Sequence, residues 1–263
     1  MAAHRPATGG AGAIRDGMVE VPGGQFELVS ELRIRECGFY ESVPQPGHPL
    51  GDSYAYRVQT FRRAVDLRPF AMDVTPVTNA QFATFLRASG YRPKYPENFL
   101  KHWPNGVCPP ALERHPAVWV SLEDARAYAQ WAGKRLPTEP EWQHAAQGPE
   151  RLRYPWGHTM QPGRCNDGKT GGTTPVDAFP GGRSPFGLLD LCGNTWEWTE
   201  SEHTDGRTRF CLLKGGSFYR AQGSGWYFDG GPQANPYAAK FLLMWPGLDR
   251  CATIGFRCVA DLH

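Results

Sequence analysis

The chain has 263 residues and a net charge of +2, with acidic and basic residues interspersed and 21% of positions charged. No basic run with interleaved aromatics stands out, which speaks against nucleic acid as a partner, and no stretch of about 18 apolar residues exists to form a spanning helix. Its 31 Gly and 24 Pro, with 9 Trp, 10 Tyr and 14 Phe, predict much irregular backbone anchored by aromatics: a loop-rich α+β domain rather than a helical bundle.

Residues 1–17 are rich in Ala and Gly, lack the apolar run of a signal peptide, and are expected to form a disordered tail on a cytoplasmic protein whose single domain occupies residues 18–263. Met18 to Phe26 alternates like a strand running into a Gly23-Gly24 turn. Leu28 to Tyr56, with Pro44, Pro46 and Pro49, predicts a long loop, and Val58 to Phe70 a pair of strands. Thr78 or Asn79 caps a helix over residues 80–89 with Phe82, Phe85 and Leu86 on one face, and Gly90 ends it. After a loop from Tyr91 to His115, Ser121 and Asp124 form a capping box for a helix reaching Trp131 and stopped by Gly133. Thr138 and Glu141 form another, with Pro140 harmlessly in the first turn, for a helix ending near Gly148.

Beyond Pro149 the segments are short. Residues 154–157, 174–179 and 186–190 read as turns with anchors, and residues 193–198, 212–218 and 254–259 as strands or strand edges. No internal repeat and no linker divides the chain. The seven cysteines (Cys37, Cys108, Cys165, Cys192, Cys211, Cys251 and Cys258) contain no CxxC, so structural zinc is not expected and reduced, apolar thiols are.

Six blocks in order carry a resemblance: Arg135-Leu-Pro-Thr-Glu-Pro-Glu-Trp142, Tyr154-Pro-Trp-Gly157, Pro175-Val-Asp-Ala-Phe179, Gly193-Asn-Thr-Trp-Glu-Trp198, Gly215-Gly-Ser-Phe218 and Gly255-Phe-Arg257. Together they resemble the formylglycine-generating enzyme, or sulfatase-modifying factor, family. The resemblance implies an irregular fold related to C-type lectins and an oxidase that converts a substrate cysteine to formylglycine with oxygen and copper(I). In that family two cysteines just after the Gly-Gly-Ser segment hold the metal, soft thiolates suiting copper(I). Here Arg220 and Gly225 stand at those positions, so the standard copper chemistry is not expected and any redox metal is left open. Iron by the route of the ergothioneine-type relatives, which use a separate His-rich helical domain, is not expected either.

The same resemblance assigns Trp196 and Ser217 to an oxygen pocket beside Arg220; the rival reading makes Trp196 a core anchor and Ser217 a turn cap. It also implies a calcium loop using Asp190, the carbonyls of Gly193 and Thr195, and Glu197, where Asp190 adds charge that favours a hard cation. The rival reading has Glu197 capping or pairing within a turn. A second family calcium site would fall at Asn166-Asp167-Gly168, where the short loop argues against it. Residues 219–248 are the most individual part of the chain, and Gln222, Trp226 and Tyr227 are candidates to line a ligand cleft with Arg220; packing of a longer insert explains them equally well. Two functions remain: a divergent oxidase or oxygenase acting on a peptide or small metabolite, to which the retained Trp196 and Ser217 incline the reading, or a non-catalytic, calcium-stabilised lectin-like binding module. Oligomeric state is not legible.

Overall fold

The computed structural model describes residues 16–33, 58–204, 206, 208–220, 230–243 and 249–262. Among them the strands are β1 (Met18–Val21), β2 (Gly24–Arg33), β3 (Val58–Leu67), β4 (Phe70–Asp73), β5 (Trp196–Thr204), β6 (Arg209–Lys214), β7 (Ala238–Leu242), β8 (Ile254–Gly255) and β9 (Val259–Asp261). Three helices, α1 (Asn79–Ser89), α2 (Leu122–Trp131) and α3 (Glu139–Gln147), lie between β4 and β5. The strands form three small sheets of order β1-β4-β9, β2-β3 and β7-β6-β5-β8. All pairings are antiparallel except β5 with β8.

The Gly-Gly turn after β1 does not close a hairpin. It passes the chain from one sheet to another, and a side chain at Gly23 would meet the Leu67 carbonyl at 2.3 Å. The loop expected from Leu28 is corrected over its first residues. β2 runs to Arg33, paired with β3 along its whole length, with Phe26, Leu28, Ser30 and Leu32 turned inward. The alternation simply continues past Phe26 before the prolines begin; residues 34–57 lie outside the described part. The two strands expected over 58–70 form, but each pairs elsewhere, β3 with β2 and β4 with β1 and β9. Gly17, assigned to the tail, already accepts a hydrogen bond from the Val74 N–H at 2.9 Å. β7 was hidden from the sequence because Phe241 and Leu242 read as part of an apolar run from Phe241 to residue 245, whose last two residues are not described.

The helices match their signals closely. Thr78, Ser121 and Thr138 are N-caps with complete capping boxes to Gln81, Asp124 and Glu141, and Gly90 ends α1 in the left-handed conformation. Thr138 is the most connected cap: Glu141 Oε2 accepts from both its N–H and its hydroxyl at 2.8 Å. Replacing Thr138 with alanine should lower stability by about 1 kcal/mol, a fall of about 2–4 °C in thermal midpoint readable by calorimetry.

The larger core joins α1 and α2 to β5, β6 and β8 through Phe82, Phe85, Tyr128, Trp198 and Phe256. Phe82 stacks on Tyr128, and Phe85 and Phe256 meet that ring edge-on. A second core sets Trp142 of α3 against Val21, Phe70 and Met72 of the three-stranded sheet. These two cores leave the connection from α3 to β5 and the turn after β6 to meet at one place. None of the described helices is long and apolar enough to cross a membrane.

Candidate functional site

The loop leading into β5 has a constrained backbone. Asp190, Gly193 and Asn194 all have positive φ, at 59°, 76° and 57°, a region that Asp and Asn tolerate and glycine adopts freely. Gly193 is required on a second ground, since a Cβ there would sit 2.4 Å from the Asn166 carbonyl. Asn194 is fully buried and ties the loop together. Its Nδ2 donates to Asp190 Oδ2 at 2.6 Å and to the Thr174 carbonyl at 3.1 Å, while its Oδ1 accepts from Thr174 N–H and Asn166 Nδ2.

Glu197 opens β5 beneath this loop and faces inward. Arg257 grips both its oxygens at 2.7 Å, and Trp142 Nε1 donates to Oε2 at 2.7 Å. The pairing reading of Glu197 is what the geometry shows, although its partner comes from 60 residues away rather than from within a turn. Asp190 is different. Burial pushes its carboxyl up to about 8, opposed by the Asn194 hydrogen bond and the Arg257 charge and reinforced by the negative charge of Glu197. A buried acid held near a second carboxylate, with only one oxygen bonded to Asn194, suits a hard cation with oxygen donors. Glu197 keeps one lone pair, on Oε1, beyond those given to Arg257 and Trp142, so Asp190, the Gly193 and Thr195 carbonyls and Glu197 are compatible with calcium. Among the described residues no three His, Cys, Asp or Glu side chains gather as a metal cluster. Asn166 is committed to its own loop, its Oδ1 accepting from Gly168 N–H and from the Thr170 hydroxyl at 3.1 Å each.

Trp196 and Ser217 come from adjoining backbones, because Phe218 N–H donates to the Asn194 carbonyl at 2.9 Å. Their side chains have separate local roles. The Trp196 ring belongs to the larger core and packs 6.3 Å from Tyr237. The Ser217 hydroxyl accepts from Tyr219 N–H at 3.3 Å, capping its own turn.

Arg220 lies outward of that turn and helps line a cleft of about 450 Å³ with Asp167, Lys169, Phe218 and Tyr219. Its Nε donates to the Asp167 carbonyl at 3.4 Å. Lys169 pairs with the Asp167 carboxylate at 2.9 Å and holds it below the usual carboxylate range. Gly168 allows the close approach of the two walls: a Cβ there would meet the Phe218 carbonyl at 2.2 Å. Gln222, Trp226 and Tyr227 lie outside the described residues.

Sequence reasoning did not find Arg257 or Lys169. Arg257 was visible only as part of the Gly-Phe-Arg block, and nothing in its spacing pairs it with Glu197. Lys169 sits in the Asn166–Gly168 loop that was set aside as a metal site.

These features define a class: a loop-rich α+β domain with a buried Glu–Arg–Trp cluster under a Gly-Gly-Ser turn that walls a cleft. Residues 9–262 match the model of the sulfatase-modifying factor enzyme 1-like domain. The chain is 33% identical to a formylglycine-generating enzyme of Thermomonospora curvata, over 94% of each chain. It is 34% identical to a mouse protein (Mus musculus) named inactive C-alpha-formylglycine-generating enzyme 2, over 93% of this chain and 85% of that one. In fold it is similar to PvdO from Pseudomonas aeruginosa, with a TM-score of 0.58 at 19% identity, covering 99% of this chain and all of the other. The chain belongs to the formylglycine-generating enzyme, or sulfatase-modifying factor, family.

Proposed function

We propose that this protein is a non-oxidising member of the family that holds a small anionic molecule or peptide in the cleft beside Arg220, with calcium as a structural staple. The observation that carries this reading is Arg220 itself. At a position where the family's copper chemistry uses a thiolate, this chain presents a guanidinium to the cleft, next to Lys169. Among the described residues lining the cleft, two cations against the one carboxylate of Asp167 favour an anionic ligand, and a guanidinium grips a carboxylate or phosphate through paired N–H donors. Trp196 and Ser217 then serve as the core anchor and the turn cap that hold the cleft wall in place. The mouse relative named as inactive supports the same direction.

Calcium would supply positive charge to the loop of residues 190–197 without taking part in any reaction. Asp190 and Glu197 would hold it through carboxylate oxygens, Gly193 and Thr195 through their carbonyls.

The test pairs binding with turnover. The purified chain is washed and extracted, co-purifying small molecules and peptides are identified by mass spectrometry, and their affinity is measured for wild type and Arg220→Ala. We expect a bound anionic ligand whose affinity falls about tenfold or more in the variant, the worth of a charge-assisted pair. The wild type is then supplied with oxygen, copper(I) and a cysteine-containing peptide. Aldehyde formation on that peptide would overturn the binding reading in favour of a divergent oxidase.

A further inference from the structure

A second cleft, of about 520 Å³, opens between α1 and residues 103–113, and it shares no lining residue with the cleft beside Arg220. Its volume suits a small organic ligand. Ala80, Ala83, Thr84 and Arg87 line it from the helix, a single stripe at i, i+3, i+4 and i+7. The two alanines leave space that longer side chains would fill. Trp103, Val107 and Cys108 line it from the segment that follows.

One buried residue builds this arrangement. Asn79 Oδ1 accepts from Trp103 Nε1 at 3.1 Å and so fixes the indole, while its Nδ2 donates to the Leu112 and Pro116 carbonyls at 2.9 and 3.2 Å. Together with the Ala80 N–H, which donates to the Glu113 carbonyl at 3.0 Å, these bonds moor Glu113 beside the first turn of α1. Asn105 and Gly106 have positive φ, at 55° and 70°, and the turn they make leaves Val107 67% exposed. A Cβ at Gly106 would meet nothing within 4 Å, so the space beside that turn is open.

The cleft carries one charge of each sign. Glu113 is held beside Ala80, and Arg87 lies two turns further along the helix, about 10 Å at about 1.5 Å per residue. Arg87 gives one N–H to the Thr84 hydroxyl at 3.1 Å and keeps the other donors of its guanidinium. Among the described residues neither charge has an ion-pair partner. An anionic ligand would suit Arg87 alone and a cationic one Glu113 alone. A zwitterion with an apolar middle suits both, and the apolar lining between them. An extended peptide spans about 3.3–3.6 Å per residue, so a tripeptide sets its two charged ends at the required separation.

We propose that the cleft between α1 and residues 103–113 binds free tripeptides with an apolar central side chain, the α-carboxylate on Arg87 and the α-amine on Glu113. The full chain is titrated with alanyl-leucyl-alanine by isothermal calorimetry. Saturable binding of one peptide per chain is expected. The N-acetylated peptide, its C-terminal amide and the shorter alanyl-leucine should each bind at least about threefold more weakly, the effect of losing one partly solvated ion pair. Arg87→Gln should make the free acid and the amide bind alike, and Glu113→Gln should do the same for the free and acetylated amines. Both residues are exposed, so the fold tolerates either change. Bound peptide should also slow alkylation of Cys108 by iodoacetamide while leaving the rate at Cys251 unchanged. Arg220→Ala should leave the affinity as it is, which separates this cleft from the other. Absence of saturable binding at about 10 mM peptide would overturn the proposal. So would an affinity indifferent to blocking either end, or one lost in Arg220→Ala.

Discussion

Arg257→Met should be among the most damaging single substitutions in this domain, costing about 3–5 kcal/mol and lowering the thermal midpoint by about 10 °C. Arg257 is fully buried and spends its donors on five acceptors: both oxygens of Glu197 and the carbonyls of Asp73, Val74 and Leu189. It therefore fastens the end of β4 and the start of the loop at residue 190 to the first turn of β5. Methionine fills similar volume but leaves Glu197 as a buried charge whose remaining donor is Trp142, and a lone buried carboxylate is far more costly than an absent pair. The double variant Glu197→Gln with Arg257→Met separates charge from packing. It should recover part of the loss, since the stranded charge is gone, but not all of it, because the Asp73 and Leu189 carbonyls lose the Arg257 donor and Val74 keeps only the Leu189 N–H. Urea denaturation of the two variants and wild type measures this. A single variant within about 0.5 kcal/mol of wild type would show that the pair has no structural weight.

What was legible follows from how local each signal is. The three capping boxes each lie within four residues, so Ser121 and Thr138 announced their helices directly, while the choice between Thr78 and Asn79 was settled in favour of Thr78 by its box to Gln81. β2 was cut short because a period-two pattern interrupted by Glu, Ser and Arg is weak beside a proline-rich stretch. The sheet partners were hidden for a different reason: β4 separates β1 from β9 through a register joining residues nearly two hundred positions apart in sequence, Met72 to Val259. No spacing encodes such a contact. The candidate site shows the same division. The Asp190–Glu197 loop could be read because its residues are contiguous, and Asn194 at its centre was visible as part of the Gly-Asn-Thr-Trp block. The Glu197–Arg257 pair and the approach of the Asp167–Lys169 loop to Phe218 and Arg220 arise from crossings of distant segments. The resemblance to the family bridged part of that gap by ordering the blocks and marked Arg220 as a departure, but it said nothing of what a guanidinium does at that position.

The calcium proposed for residues 190–197 gives the second large effect, and its pH dependence has an unusual sign. The Asp190 carboxyl is raised to about 8 by burial in the metal-free fold, while an unfolded aspartate titrates near about 3.9. Between those values the fold keeps a proton that the unfolded chain has released. This group's contribution to stability is then fully present below about pH 4, declines as pH rises, and is lost on passing about 8. Calcium reverses the trend, because the ion requires the carboxylate and competes with the proton. Its apparent affinity should rise roughly tenfold per pH unit below about 8 and then level off. At calcium a hundredfold above its Kd the fold should gain about 2.7 kcal/mol, so the difference in thermal midpoint between calcium and EGTA should widen from near zero at acidic pH to about 5–10 °C in mildly alkaline buffer. Asp190→Asn removes both the titrating proton and a ligand charge, and should leave a smaller calcium shift that no longer changes with pH. Melting curves for wild type and this variant, across pH and with calcium or EGTA, decide the matter. Coincident wild-type curves at every pH would remove calcium from the loop and leave Asp190 as a buried, protonated acid whose partner is Asn194.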